Sequence, residues 1–151
     1  MNTFDLQIQS AASDGRHTPA EIAAMARDEG LSVIALTDHD TVAGIAEVIG
    51  AGTVSGIRVI PGIEMSAEEH GTHILGYGID YRGEEFLLQL ERFKHDRVEG
   101  AVRMVENLKR AGFAVEWDDV LREATGAVIA RPHIARAILK HPENKDILSG
   151  V

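Results

Sequence analysis

Apolar and polar positions along the first eighty residues predict short strands and helices in alternation. Residues 4–9 alternate strictly between apolar and polar side chains, with the apolar set on one face, which is typical of a half-buried strand. Residues 18–21 read Thr-Pro-Ala-Glu, a capping box with proline at the first helical position, so a helix is expected from there to about Glu29. The continuous apolar run at 32–36 predicts a second strand, covered on both faces.

The same alternation continues to residue 78. A second helix is expected after residue 40, ending near Ile49, and further strands are predicted at 57–60 and 72–78. Strands and helices that alternate at this spacing indicate βα units built around a parallel sheet. The sequence therefore predicts an α/β fold for this part of the chain.

From residue 84 onward the pattern is helical only. Leucine, valine and phenylalanine recur at helical spacing over 87–108, which predicts one long helix through Lys109 whose apolar stripe packs in a core. Two shorter helices are predicted at 116–124 and 131–140. We expect residues 1–82 to form βα units and residues 83–151 to form a helical segment of the same domain.

Composition narrows the classes of function. The 151 residues include 15 Lys and Arg against 24 Asp and Glu, a net charge of −9, which argues against a broad basic surface for nucleic acid. The chain has no cysteine, so disulfide frameworks, thiolate zinc sites and cysteine nucleophiles are excluded. No basic, apolar leader and no apolar run of about 20 residues is visible, so we expect no membrane association and a cytoplasmic location.

Carboxylate and imidazole side chains follow several of the predicted strands. Asp14, His39 and Glu64 come after successive strands, and His73 belongs to the next one. Because function collects at the carboxyl ends of parallel strands, these side chains are expected to meet at one edge of the sheet. Mixed carboxylate and imidazole ligands bind divalent metal ions, and a carboxylate can bridge two of them. The pattern suggests a metal site.

Some of these residues have a purely structural alternative. Asp14 also fits as the carboxylate of a turn, and Asp40 fits better as a helix N-cap than as a ligand. Asp38 either orients a neighbour or accepts a backbone bond and is left unassigned. His39 is expected to be exposed at its strand end, whereas a buried, hydrogen-bonded histidine is the alternative for His73. The histidines expected at the surface, because no supporting group accompanies them, are His17, His70, His95 and His141.

Six segments carry a family resemblance. They are Asp-Leu-Gln-Ile-Gln-Ser at 5–10, Ser-Asp-Gly at 13–15, Ala-Leu-Thr-Asp-His-Asp-Thr-Val-Ala-Gly at 35–44, Pro-Gly-Ile-Glu-Met-Ser at 61–66, His-Ile-Leu-Gly-Tyr at 73–77 and Arg-Pro-His-Ile-Ala at 131–135. In this order they resemble the PHP (polymerase and histidinol phosphatase) family, and most closely its small stand-alone, TrpH-like phosphoesterases. The resemblance covers nearly the whole chain.

The resemblance implies both a fold and an activity. The fold is a distorted, TIM-like (βα)7 barrel, of which this chain carries the first strands and a helical insertion but not the C-terminal half. The activity is hydrolysis of a phosphoester by a metal-activated water, with two or three Mn, Zn or Fe ions at the barrel mouth. The implied substrate is a phosphorylated small molecule, a nucleotide or an oligonucleotide end.

Individual roles follow from the resemblance as well. Glu64 would bridge two metal ions, His73 would bind one of them, and Asp14 with His39 would hold a third. Glu64 and His39 would thus be the catalytic pair. Arg131 and His133, on the inserted helices, would contact the substrate phosphate, a role that suits the bidentate guanidinium of arginine. The alternative for Arg131 is an ion pair with an acid of the helical segment, and His133 could merely belong to its helix.

Two departures from the family leave other functions open. Gln7 and Gln9 stand where the family has two histidines that ligate one metal, and an amide oxygen is a much poorer ligand, so that ion should be weakly bound or missing. The family's late ligands, a histidine and an Asp-x-His motif, have no counterpart within these 151 residues. The alternatives are a degenerate, non-catalytic binding module, in which both glutamines only form hydrogen bonds, and a structural barrel fragment that needs a partner.

Overall fold

A computed structural model of the chain describes residues 3–66 and 72–149 and shows a mixed α/β fold. The elements, in chain order, are β1 (Phe4–Ile8), α1 (Pro19–Asp28), β2 (Val33–Leu36), α2 (Ile45–Ser55), β3 (Arg58–Ser66), β4 (His73–Tyr77), α3 (Glu84–Arg110), α4 (Trp117–Ala124), α5 (Arg131–Leu139) and, after a 3-10 turn at Pro142–Asn144, α6 (Lys145–Ser149). Each strand and helix predicted from the sequence is present. No helix in the described part of the chain combines the length and the apolar character that crossing a membrane requires.

The four strands form one sheet in the order β1-β2-β3-β4. β1 pairs parallel to β2 and β2 parallel to β3, as expected, but β3 and β4 are antiparallel, with Ser66 opposite His73. The expectation of a wholly parallel sheet is therefore wrong. Only residues 67–72 join these two strands, and a parallel connection needs about a dozen residues or more to cross back over the sheet.

The first helix follows the predicted capping box. The Glu21 amide donates to the Thr18 hydroxyl at 3.2 Å, and the Thr18 amide donates to the Glu21 carboxylate at 2.8 Å. Strand β1 differs from expectation because Phe4, predicted on the covered face, is 64% exposed. Phe4 is the first residue of the edge strand, and it is not part of the core that packs between the sheet and helices α1 and α2.

Helix α2 and strand β3 are both longer than predicted. The helix continues past Ile49 and ends at Gly56, which adopts a left-handed conformation with φ 74°. Gly52 lies inside this helix. A Cβ at this position would come 2.5 Å from the Val59 side chain, so glycine permits the helix to pack closely against β3. Strand β3 extends to Ser66, which places Glu64 within the strand rather than after it.

The described residues bury two hydrophobic cores that have no residue in common. One lies between the sheet and helices α1 and α2, and the other joins α3, α4 and α5. The apolar stripe of α3 is only partly buried: Leu90 and Val105 pack inward, whereas Phe93 is 39% exposed and Val102 is 38% exposed. The expectation that the whole stripe packs in a core is therefore wrong. The candidate site lies at the carboxyl end of β3.

Candidate metal centre

Three predicted ligands meet at the carboxyl end of β3. The ligand atoms of His39, Glu64 and His73 all lie within 4.8 Å of one another. The Oε1 atom of Glu64 lies 3.0 Å from Nδ1 of His73 and 3.9 Å from Nδ1 of His39. The two imidazole rings meet edge to face, with their centroids 4.9 Å apart. The arrangement of one carboxylate between two imidazoles is suited to a divalent transition-metal ion.

The strand pairing explains why these residues meet. The Glu64 amide donates to the Asp38 carbonyl at 3.1 Å, and the Asp40 amide donates to the Glu64 carbonyl at 3.0 Å, which fixes His39 beside Glu64. His73 is the first residue of β4, and the antiparallel pairing brings it to the end of β3. In a parallel sheet the first residue of β4 would have been at the opposite edge.

Gln7 of β1 and Gln9, which directly follows the strand, both bind the other oxygen of Glu64. The Nε2 atom of Gln9 donates to Glu64 Oε2 at 2.8 Å, and Nε2 of Gln7 donates to the same oxygen at 3.4 Å. The two oxygens of this carboxylate therefore have different partners: Oε2 has amides and Oε1 has imidazoles. The prediction that the glutamines form hydrogen bonds at this end of the sheet agrees with these contacts.

Two buried polar atoms at the site have no hydrogen-bond partner among the described residues. They are Oδ1 of Asp14 and Nδ1 of His39. Buried polar atoms without partners are rare, and an unsatisfied one costs about 1–3 kcal/mol. A divalent cation is a group that would satisfy both, so the residues present fit a metal ion. His39 was expected to be exposed, but only 12% of its side chain is accessible, because its backbone pairs with Glu64 of β3 and its ring packs against that of His73.

Asp38 organises the loop that carries Asp14. Its buried carboxylate accepts bonds from the Ser10 amide at 2.6 Å, the Ser10 hydroxyl at 2.7 Å and the Ser13 hydroxyl at 2.7 Å. Burial raises the pKa of the Asp38 carboxyl, and the serine donors offset part of that rise. Asp38, to which the sequence assigned no role, therefore positions the loop that carries Asp14.

Asp40 has a different role from the predicted helix cap. The N-cap of α2 is Gly44, and the Asp40 side chain turns towards β3, where it accepts the Ser66 amide at 2.8 Å. It also forms an ion pair with Arg97 of α3. Asp40 adopts φ 50°, an uncommon conformation for a residue with a side chain, and only 3% of its side chain is exposed. The N-cap prediction is wrong because this buried carboxylate points away from α2.

Sequence reasoning missed Arg97. Besides Asp40, its guanidinium donates to the Ser66 hydroxyl at 2.6 Å and to the Ile129 carbonyl at 2.7 Å. Arg97 is one of many charged residues along α3, and nothing in the spacing of the helix distinguishes it. Its partners lie 31 to 57 residues away, so only the folded structure identifies it.

A cavity of about 650 Å³ connects these residues with the helical half. Its lining includes Asp14, His39 and His73 from the sheet half of the chain and Arg97 and Arg131 from the helical half. Arg131 is exposed at the first position of α5. The α4 acid that pairs with this helix, Glu123, contacts Arg136 and Lys140 instead of Arg131. Arg131 therefore lines the same cavity as His39 and His73 and is not paired with Glu123.

His133 is buried beneath the cavity wall. It is 2% exposed, and its Nδ1 accepts the Ala130 amide at 2.9 Å, which caps the first turn of α5. Burial lowers the pKa of this imidazole, and the nearby Arg136 charge lowers it further. The observed contact of His133 is thus with the helix that presents Arg131, and its contact with a phosphate stays a prediction.

The other histidines lie away from this site. His17 and His95 are exposed, as predicted. His141 is half-buried rather than exposed, because its Nε2 lies 2.8 Å from the carboxylate of Asp119. The hydrogen bond from the Glu116 amide and the contact with His141 lower the pKa of the Asp119 carboxyl. His70 lies outside the described residues.

Comparisons with known proteins give the site its context. The chain is 34% identical over 150 residues to the 3′,5′-nucleoside bisphosphate phosphatase of Chromobacterium violaceum, covering 97% of this chain and 53% of that protein. It is 37% identical over 139 residues to a 5′-3′ exoribonuclease of Haemophilus influenzae, covering 91% and 50%. The chain thus spans about half the length of the curated relatives it matches.

A solved structure shares the fold. It is a Bifidobacterium adolescentis protein assigned as a metal-dependent phosphoesterase, with a TM-score of 0.82 and 33% identity over 92% of this chain and 50% of that one. This match confirms the expected α/β fold as part of a PHP-type barrel. The model of the PHP domain matches residues 5–142. The chain belongs to the PHP domain family.

Proposed function

We propose that this chain takes part in the hydrolysis of phosphoesters with a divalent metal ion held by His39, Glu64 and His73. The observation that carries the proposal is that His39, Glu64 and His73 bring ligand atoms within 4.8 Å of one another, and that both histidines line a cavity together with Arg131. Asp14 is a further proposed metal ligand, for a separate ion shared with His39, since its buried Oδ1 has no partner among the described residues. When bound, a divalent ion lowers the pKa of a water and offsets charge on phosphoryl oxygens.

The chain's own residues perform distinct tasks in this proposal. Glu64 and His39 form the proposed catalytic pair, and Gln9 fixes the orientation of the Glu64 carboxylate. Arg131 binds the phosphate, because guanidinium pairs bidentately with phosphate oxygens. His133 keeps the first turn of α5 in place and stays a predicted phosphate contact.

The proposed substrate is a small phosphorylated molecule, a nucleotide or an oligonucleotide end. A cavity of about 650 Å³ is within the range of small-molecule sites. The names of the relatives support this class, because one acts on nucleoside bisphosphates and another degrades RNA from its 5′ end. The choice among Mn, Zn and Fe, the cytoplasmic location and the division of the chain at residues 82 and 83 stay predictions.

The proposal is tested with the purified protein and three substrates. These are adenosine 3′,5′-bisphosphate, a short 5′-phosphorylated oligoribonucleotide and bis(p-nitrophenyl) phosphate, each with added Mn²⁺, Zn²⁺ or Fe²⁺. We expect hydrolysis that Glu64→Ala abolishes and that Glu29→Ala, a change of an exposed acid, leaves intact. If no ion gives the unmodified chain more activity than Glu64→Ala, the catalytic proposal fails.

The glutamine contacts favour a second candidate, a binding module that recognises a phosphorylated ligand without cleaving it. Gln7 and Gln9 occupy Glu64 Oε2 with amide donors, so this oxygen is not free to bridge a second ion. Binding of adenosine 3′,5′-bisphosphate with no turnover under any of the three metals would favour this candidate. Turnover that depends on Glu64 would exclude it.

A further inference from the structure

The helical half and the sheet half of the described chain are joined by polar contacts near the cavity. Their hydrophobic cores have no residue in common. The backbone amide of Val128 donates to the Ala12 carbonyl at 3.4 Å, a long bond. The side chain of Arg97 makes shorter contacts to both halves. Its position makes it the main candidate for the residue that sets the width of the cavity.

Arg97 contacts the sheet half through residues next to the metal ligands. It pairs with Asp40 and donates to the Ser66 hydroxyl at 2.6 Å. Asp40 directly follows His39, and its amide donates to the Glu64 carbonyl at 3.0 Å. The conformation of Asp40, with φ 50°, costs free energy that its buried partners have to offset, as is common at functional sites.

The same guanidinium contacts the helical half next to the proposed phosphate residue. Its Nε donates to the Ile129 carbonyl at 2.7 Å, two residues before Arg131. Ile129 belongs to the segment that leads into α5, whose first residue is Arg131. A single planar group therefore holds the start of α5 against the end of β3. Lysine cannot reproduce this contact, because one ammonium lacks the fixed fork of donors.

We propose that Arg97 is a positioning residue that fixes the distance between Arg131 and the His39–Glu64–His73 cluster, and so sets the affinity of the cavity for a phosphate group. The proposal rests on the proposed function for the phosphate, but the tether between the two halves does not depend on it. Arg97 acts through Arg131, and its own charge is directed to Asp40.

The first measurement tests the tether alone, by hydrogen exchange of backbone amides in Arg97→Lys. This change keeps a cation beside Asp40, so the buried carboxylate is not left unpaired. Local opening should make the amides of 129–131, 133 and 134 exchange about tenfold faster, Pro132 having none, while that of Val120, in the helical core, keeps its rate. The matched control is Arg103→Lys on the same helix, an exposed arginine paired only with Glu99, which should change neither. Unchanged exchange at 129–134 in Arg97→Lys would overturn the proposal.

The second measurement tests the route through Arg131, by calorimetric titration with inorganic phosphate in the presence of Zn²⁺. We expect Arg97→Lys to weaken phosphate binding about tenfold, since a small misplacement of a binding group is costly. In an Arg131→Ala background the same change should have no further effect, because coupled residues are not additive. Full additivity of the two changes would overturn the positioning role, since a merely structural or independent effect adds.

The two measurements separate this proposal from the proposed function. If the unmodified chain binds no phosphate but Arg97→Lys still speeds exchange at 129–134, the tether is supported and phosphate recognition by this cavity is refuted. If phosphate binds and Arg97→Lys leaves both its affinity and the exchange rates unchanged, the proposed function stands and Arg97 has no positioning role.

Discussion

Replacing Glu64 by glutamine is the sharpest test of the candidate metal centre. The change keeps the shape of a side chain that is 6% exposed, and its new amide oxygen can still accept from Gln9. It removes the negative charge between His39 and His73, which lie 3.9 Å and 3.0 Å from Oε1. We therefore expect the metal-free protein to keep its stability and to lose most of its affinity for a divalent ion.

The size of the effect follows from linkage between metal binding and folding. An ion present at about 100 times its dissociation constant adds about 2.7 kcal/mol to the free energy of unfolding. Loss of an outer-shell partner alone weakens metal affinity about 10–100-fold, so loss of a direct ligand should cost at least about 100-fold. The same ion concentration then equals the dissociation constant and adds only about 0.4 kcal/mol. For a chain of this length the metal-induced rise in Tm should fall from about 5–10 °C to about 1 °C.

Thermal unfolding with and without Zn²⁺ or Mn²⁺ measures this directly. Glu29→Gln serves as the matched control, since Glu29 is exposed and should keep the full metal-induced rise. If Glu64→Gln kept that rise, the ion would be bound elsewhere and the proposed ligand set would be wrong. A lower Tm of metal-free Glu64→Gln would instead show that the carboxylate stabilises the fold without a metal.

Three further changes have defined outcomes. Gln7→His combined with Gln9→His should raise the number of Zn²⁺ ions bound per chain, measured by mass spectrometry of the dialysed protein; an unchanged ratio would show that these positions do not limit metal binding. Burial lowers the pKa of His133, so folding favours its neutral form, and the free energy of unfolding should fall as the pH drops below about 6.5. His133→Gln, which can keep the cap, should reduce that fall when urea unfolding is measured at pH 7.5 and 5.5. An equal fall in both proteins would contradict this assignment. Ile34→Ala, at a fully buried position, should cost about 2–5 kcal/mol in urea unfolding, whereas Val54→Ala, 89% exposed, should cost under about 0.5 kcal/mol, and similar losses would contradict the described core.

Local signals in the sequence predict the elements well. The Thr18 to Glu21 capping box identifies the start of α1 because both of its bonds form within four residues. The apolar run at Val33–Leu36 identifies a covered central strand. By contrast, the end of α2 was misplaced at Ile49, since a glycine inside a helix is indistinguishable in sequence from one that ends it. Gly52 is retained for close packing against β3, a contact between elements that the local pattern does not contain.

The direction of β4 shows how predicted residues can come together although the predicted topology is incorrect. An all-parallel sheet was expected, yet His73 meets Glu64 because β4 runs antiparallel and starts where β3 ends. The rule that function collects at the carboxyl ends of parallel strands predicted that these side chains meet, and the resemblance of the His-Ile-Leu-Gly-Tyr segment to the family implied a metal-binding role for His73. The length of the connection from Ser66 to His73 was the signal in the sequence that could have given the direction.

The residues that hold the site together were the hardest to anticipate. A sequence pattern indicates which face of a helix or strand is apolar. It does not indicate which distant basic side chain will pair with a buried carboxylate. From the sequence, Asp40 resembles a helix cap and Arg97 resembles an exposed helix residue. In the folded chain the two side chains form an ion pair. Breaking a buried pair by removing one partner costs about 3–5 kcal/mol, because the remaining charge stays desolvated. The buried, positive-φ conformation of Asp40 is therefore stable only when Arg97 from the helical half pairs with it. That pair lies beside the cavity that both halves line.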